Sequence, residues 1–133
     1  MRSSLQSYRK VSVDSGISVA SPHRIIQMLF SGALERLAQA KCAIEQDDTV
    51  KKGEAIGKAI SIVAGLNGSL HMETEGDVAN NLNALYDFML QQMSYANVNN
   101  DVKAVDDVMD ILRVIKEGWD AIPTELHQLS SDQ

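Results

Sequence analysis

The sequence has one cysteine, two prolines, few aromatics and no long run of either apolar or basic residues. Each shortage excludes something. With Cys42 alone, no internal disulfide can form, which suits a reducing compartment. No apolar run approaches the ~20 residues needed to span a bilayer, so membrane insertion is not expected. The first residues, MRSSLQSYRKVSV, hold no apolar signal-peptide core, and the expected location is the cytoplasm. The longest basic run is Lys51-Lys52 and the net charge is −6, which argues against nucleic acid, because such binders need a Lys/Arg surface to displace counterions. Aromatics make up only 5% of the chain, so a core would be packed by Ala, Leu, Ile, Val and Met.

The 133 residues suffice for one domain with a real core. Ser21-Pro22 is a helix start, with serine as cap and proline where no hydrogen bond is lost. Ile26, Leu29, Ala33, Leu37, Ala40 and Ile44 then recur at spacings of three and four. After EQDDT, with Thr49 as the expected cap, Ile56, Ile60, Val63, Leu66 and Leu70 carry a second helix. Asp77 is the expected cap of a third, bearing Val78, Leu82, Leu85, Met89, Met93 and Ala96. Asp101 caps a fourth, with Val105, Val108, Leu112, Ile115, Trp119 and Ile122, and Pro123 stops it. No alternating strand pattern occurs. The expected fold is all-α, an antiparallel four-helix bundle over residues 21–123. Residues 1–20 read as a flexible cap and linker, in which Leu5 and Tyr8 share one face of a short apolar element. Residues 124–133 read as a frayed tail.

Tests for chemistry return little. A carboxylate-bridged metal bundle needs Glu-x-x-His, but Ala20, Gly68 and Thr124 precede His23, His71 and His127 by three. In HMETEGD, the bidentate glutamate of a calcium loop would fall on Leu82. His71 lies among acids, which opposes phosphate, and Cys42 has no histidine in sequence reach. No catalytic residue, metal ligand or cofactor is expected. A phosphorelay module or small bundle enzyme stands as the alternative reading.

Two features suggest a binding role. Gly53, Gly57, Ser61, Ala64 and Gly68 fall within an arc of about 80° on the second helix. Each helical glycine costs about 1 kcal/mol relative to alanine. The stripe lets another backbone approach, either a neighbouring helix of the bundle or an external segment. The methionines, adaptable gap-fillers, fit both readings. Charge is also uneven: residues 1–71 hold nine basic and six acidic groups, residues 72–133 three and twelve. That acidic half is either a solvated face or an electrostatic guide for a partner.

Three stretches carry a family resemblance. SPHRIIQMLFSGALERLAQAKCAI is similar to the opening helix of the FliS family of flagellar export chaperones, which reads Ser-Pro, a few residues, then Met-Leu-Tyr-x-Gly-Ala-Leu. LNGSLHMETEGDVANNLNALYDFM resembles its Leu-Asn-x-Ser-Leu-Asp-x-Glu-x-Gly-Gly segment and Leu-x-x-Leu-Tyr-x-Tyr-Met continuation. YANVNNDVKAVDDVMDILRVIKEGW resembles its closing helix. The likeness runs from about Tyr8 to Trp119, with Phe30 and Phe88 where tyrosine is usual, His71 for aspartate and Glu75 for the first of two glycines.

The resemblance implies a cytoplasmic chaperone, not an enzyme. It would bind the carboxy-terminal segment of newly made flagellin, prevent premature polymerisation and hand the client to the flagellar type III export gate, with self-association as a further possibility. The residues assigned to the client groove are Met28, Leu29, Leu66, Leu70, Leu82, Leu85, Tyr86 and Met89, with Asn67, Ser69 and Asn97 as polar contacts. Leu5 and Tyr8 would form a lid over it.

Overall fold

The structure, a computed structural model, describes residues 21–73 and 76–126, with backbone only at 70–73, 77–79 and 126. Four helices follow one another among the described residues: α1 Pro22–Glu45, α2 Thr49–Glu73, α3 Asp77–Asn99 and α4 Val102–Asp120. A 3-10 turn at Thr124–Leu126 follows. The helices pack in a ring, α1 on α2, α2 on α3, α3 on α4 and α4 on α1. This is the antiparallel four-helix bundle that the apolar spacing predicts.

The residues that pack at spacings of three and four form one core. Phe30, Leu37, Ile56, Val63, Met89, Met93, Val105, Val108 and Leu112 are fully buried in it. Ala33, Ala40, Ala59 and Ala96 are also buried, and their small side chains let helices come close. Burying one such aliphatic side chain contributes about 1.5–3 kcal/mol, so this core is the main source of stability. Ile26, Leu29, Ile60, Leu82, Ile115 and Trp119 pack around its edge.

Capping follows the sequence reading at two starts and shifts by one residue at the other two. Ser21 Oγ accepts the Arg24 N–H at 3.1 Å, and Asp101 Oδ1 accepts the Ala104 N–H at 3.2 Å. For α2 the cap is Asp48 rather than Thr49: its Oδ1 accepts the Lys51 N–H at 3.1 Å, and Thr49 is already helical. For α3 it is Gly76 rather than Asp77. Gly76 has φ of +96°, open to glycine and strained for other residues.

Lys52 is the one buried lysine among the described residues. Its Nζ donates to the Asn97 carbonyl at 2.8 Å and to Asn100 Oδ1 at 2.7 Å. The α3 carboxy terminus has carbonyls without helical partners and a negative dipole end, and an ammonium satisfies both. Asn100, left-handed at φ 54°, turns the chain into α4 there. The α2–α3 pair is therefore clamped at this end.

Candidate functional site

The outward face of α2 is unusually bare. Gly57, Ser61, Ala64 and Gly68 are exposed and Gly53 is half-buried. A Cβ added at Gly53, Gly57 or Gly68 would meet nothing within 4 Å. Ser61 folds its hydroxyl back onto the Gly57 carbonyl at 3.1 Å, so it offers no projecting group either. Between the two sequence readings of the small-residue stripe, packing of a bundle helix does not occur: the stripe faces out. Gly32 on α1 behaves differently, since a Cβ there would touch Ile62 Cδ1 at 3.6 Å, so it is a packing position between helices. Gly53, Gly57, Ser61 and Ile62 floor a shallow depression, with Glu54, Lys58 and Arg36 of α1 at its rim.

On the α3 side, away from the Lys52 clamp, the seam carries a polar bridge. Asn67 Nδ2 donates to Asp87 Oδ1 at 3.3 Å, a long bond. The Asn67 amide oxygen is buried and has no hydrogen-bond partner. Beyond the seam, α3 presents a ridge of large apolar groups. Leu85, Phe88 and Tyr95 are 39%, 43% and 52% exposed. At 100° per residue they lie within about 80° of one another. Val114 of α4 is also exposed.

The residues assigned to the groove from sequence are distributed over three environments. Leu66, Tyr86 and Met89 are buried in the core cluster. Desolvation by that burial pushes the Tyr86 phenol up to about 12. Met28, Leu29, Leu82, Asn67, Ser69 and Asn97 are half-buried, Asn97 with its carbonyl already bonded to Lys52. Leu85 is exposed. Leu70 is described only in its backbone, and Leu5 and Tyr8 lie outside the described residues. Asn67 therefore meets the bare face of α2, and Leu85 the apolar ridge of α3.

Sequence reasoning passed over Asp87, Lys52, Phe88 and Tyr95. The last two were within reach, since Phe88 and Tyr95 are seven apart and Leu85 lies three before Phe88. Asp87 and Lys52 were not, because their partners are 20 and 45–48 residues away. Cys42 is exposed, in a groove with Arg36, Gln39 and Lys51. Among the described residues no three His, Cys, Asp or Glu side chains group as a metal site. No helix of those residues is long and apolar enough to cross a membrane.

At the opposite side of the bundle, α1 and α4 are tied closely. His23 is buried and stacks on Trp119 with ring centroids 4.7 Å apart and planes 9° from parallel. Trp119 Nε1 donates to the His23 carbonyl at 3.0 Å. Gln27 Nε2 donates to Asp120 Oδ1 at 2.7 Å, and Lys41 pairs with Asp106 at 2.6 Å.

Comparison with known proteins gives a consistent result. The family model described as flagellar protein FliS matches residues 4–126. The flagellar secretion chaperone FliS of Vibrio cholerae is 53% identical over 131 residues, covering 98% of this chain and 96% of that protein. The flagellar secretion chaperone FliSB of Pseudomonas aeruginosa is 44% identical over 118 residues, 89% of this chain and 94% of its own length. The flagellar secretion chaperone FliS of Salmonella typhimurium is 44% identical over 121 residues, 90% of each chain.

Proposed function

Because the chain belongs to the flagellar protein FliS family, we propose that it is a cytoplasmic flagellar export chaperone whose client is the carboxy-terminal segment of newly made flagellin. Its relatives are named as secretion chaperones, so the activity is holding and delivery rather than catalysis. The observation that supports a client site on this chain is the open face of α2, where three glycines have nothing within 4 Å of a would-be Cβ. It lies one helix away from the exposed Leu85, Phe88 and Tyr95 of α3.

A subunit segment that polymerises through an apolar face aggregates if left free. A bundle that offers a bare, close-approach surface beside an apolar ridge covers that face without hydrolysing anything. Ordering a flexible segment costs about 2–5 kcal/mol or more, so the contact has to be long and run along the bundle. Met28, Leu29, Ser69, Leu70, Leu82, Leu85 and Asn97 remain the proposed contacts along it, with Asn67 at the seam. Leu66, Tyr86 and Met89 act beneath them, holding α2 and α3 in register. Leu5 and Tyr8 serve as the lid that covers apolar surface before the client arrives. Delivery goes to the type III export gate.

Calorimetric titration of the purified chain with a flagellin carboxy-terminal segment tests the reading. Binding at about micromolar concentration or tighter is expected, and no heat at that concentration sinks it. Deleting residues 1–10 is expected to raise binding of an apolar dye, and an unchanged dye signal removes the lid.

A further inference from the structure

Asn67 sits in an unusual position for a half-buried polar residue. Its amide nitrogen is spent on Asp87 at 3.3 Å, while its amide oxygen is buried without a partner. Turning the amide over gives no relief. The oxygen would then face a carboxylate oxygen, and the NH2 group would become the buried orphan. A buried acceptor left without a donor destabilises a fold, and most native structures avoid it. Leucine has the same branching and carries no polar atom to satisfy. Beside Asn67, Gly68 leaves open space on the outer face of α2, and Asp87 is exposed on α3. Two acceptors thus adjoin an open surface, one of them without a donor and the other holding only the long bond from Asn67.

We propose that Asn67 and Asp87 together receive an N–H donor of the bound client. Asn67 swings its whole amide out of the seam past Gly68, so that the oxygen accepts one hydrogen and the NH2 group stays in reach of the client, and Asp87, released from the Asn67 amide, accepts another. The inference rests on the client reading above. The free protein carries the unpaired oxygen as a local destabilisation, and client binding relieves it, so the pair contributes more to affinity than to the stability of the empty bundle. Two sources share this donor chemistry: an arginine or lysine side chain of the client, or its backbone amides. A guanidinium has five N–H donors and can reach both acceptors at once.

The test measures affinity for the flagellin carboxy-terminal segment and the melting temperature of the free chain in parallel. Asn67→Leu is expected to melt ~3 °C or more above the parent, because the orphan acceptor is gone. It is expected to bind the segment about tenfold more weakly. Asn67→Ala, which adds no bulk, is expected to lose affinity by a similar factor, so that obstruction is not the cause. Asp87→Asn separates the sources. A cationic donor gives weaker binding with a flatter salt dependence, whereas a backbone donor leaves the salt dependence as in the parent. Parent-like affinity in both Asn67→Leu and Asn67→Ala overturns the inference while leaving the client reading intact. A parent chain that does not bind the segment overturns both.

Discussion

The α1–α4 and α2–α3 pairs are both neighbours in the ring of helices and are held in different ways. Between α1 and α4 the contacts repeat along the helices: the His23–Trp119 stack, the Trp119 indole on the His23 carbonyl, Gln27 on Asp120, and Lys41 on Asp106. Between α2 and α3 a strong clamp, Lys52 on Asn97 and Asn100, sits at one end. Toward the other end the polar bridge is the 3.3 Å bond of Asn67, with an orphan oxygen beside it and glycine on the outer surface. A bundle whose single task was to be stable would stitch both pairs alike. A long bond beside an orphan acceptor and a bare helix face suit a binding surface, since local stability is lowest where a partner must be admitted.

The largest expected effect comes from unstitching the tight pair. Trp119→Ala removes the ring that stacks on His23 and the indole donor to its carbonyl. We expect a loss of about 3 kcal/mol, the low end for aromatic truncation because Trp119 is only half-buried. Urea unfolding followed by circular dichroism measures it. A loss below about 1 kcal/mol would mean the α1–α4 contacts are decoration and the comparison fails on that side. Next is the clamp. Lys52→Met keeps the aliphatic stem and removes the ammonium, leaving the Asn97 carbonyl and Asn100 amide short of a donor. About 2 kcal/mol is expected from the same measurement. Amide exchange is expected to rise chiefly in the last turn of α3, where the clamp acts.

These contacts mark the limit of what the sequence made legible. The four helices follow from apolar residues at spacings of three and four, and they appear where the spacing places them, except that α4 ends at Asp120, short of the expected Ile122. Their starts at Ser21 and Asp101 follow from capping chemistry, whereas Thr49 and Asp77 yield the cap position to Asp48 and Gly76, the residues just before them. The site was less legible for a physical reason. Leu66, Tyr86 and Met89 sit at the same helical spacing as any core residue, and periodicity marks an apolar face without saying what covers it. The same ambiguity attached to the glycine stripe, and it resolves only when the positions of the neighbouring helices are known. Lys52, Asp87 and the orphan oxygen of Asn67 depend on partners far along the chain, so no local pattern encodes them.

A third, smaller effect addresses the bare face. Gly57 is exposed, mid-helix and has nothing within 4 Å of a would-be Cβ. Gly57→Ala is therefore expected to stabilise the free chain by about 0.5–1 kcal/mol, as alanine is the better helix former. Gly57→Leu is expected to keep the fold and to weaken binding of the flagellin segment by about tenfold, because the bulk would obstruct the proposed client face. Parent-like affinity in Gly57→Leu would move the client off α2 and onto the α3 ridge, where Phe88→Ser becomes the sharper probe.

The smallest effect concerns the Asp120 carboxylate, which Lys116 of the same helix and Gln27 of α1 share. The Lys116 hydrogen bond, then the one from Gln27, hold the Asp120 carboxyl below the usual carboxylate range, with the Lys116 and His23 charges adding and partial desolvation opposing. A carboxylate whose folded value is lowered stabilises the fold above its unfolded value, about pH 4, and that contribution disappears as pH falls through the folded value. Asp120→Asn is thus expected to be slightly less stable than the parent at neutral pH, and the two are expected to converge as pH falls below the usual carboxylate range. The difference stays small because the carboxylate is solvent-exposed and such pairs are screened. Paired urea melts across that range measure it. If the gap persists unchanged in acid, the Asp120 charge plays no part in tying α4 to α1, and what remains is the Lys41–Asp106 pair and packing, with Trp119 on His23 at one end and glycine against solvent on the other side.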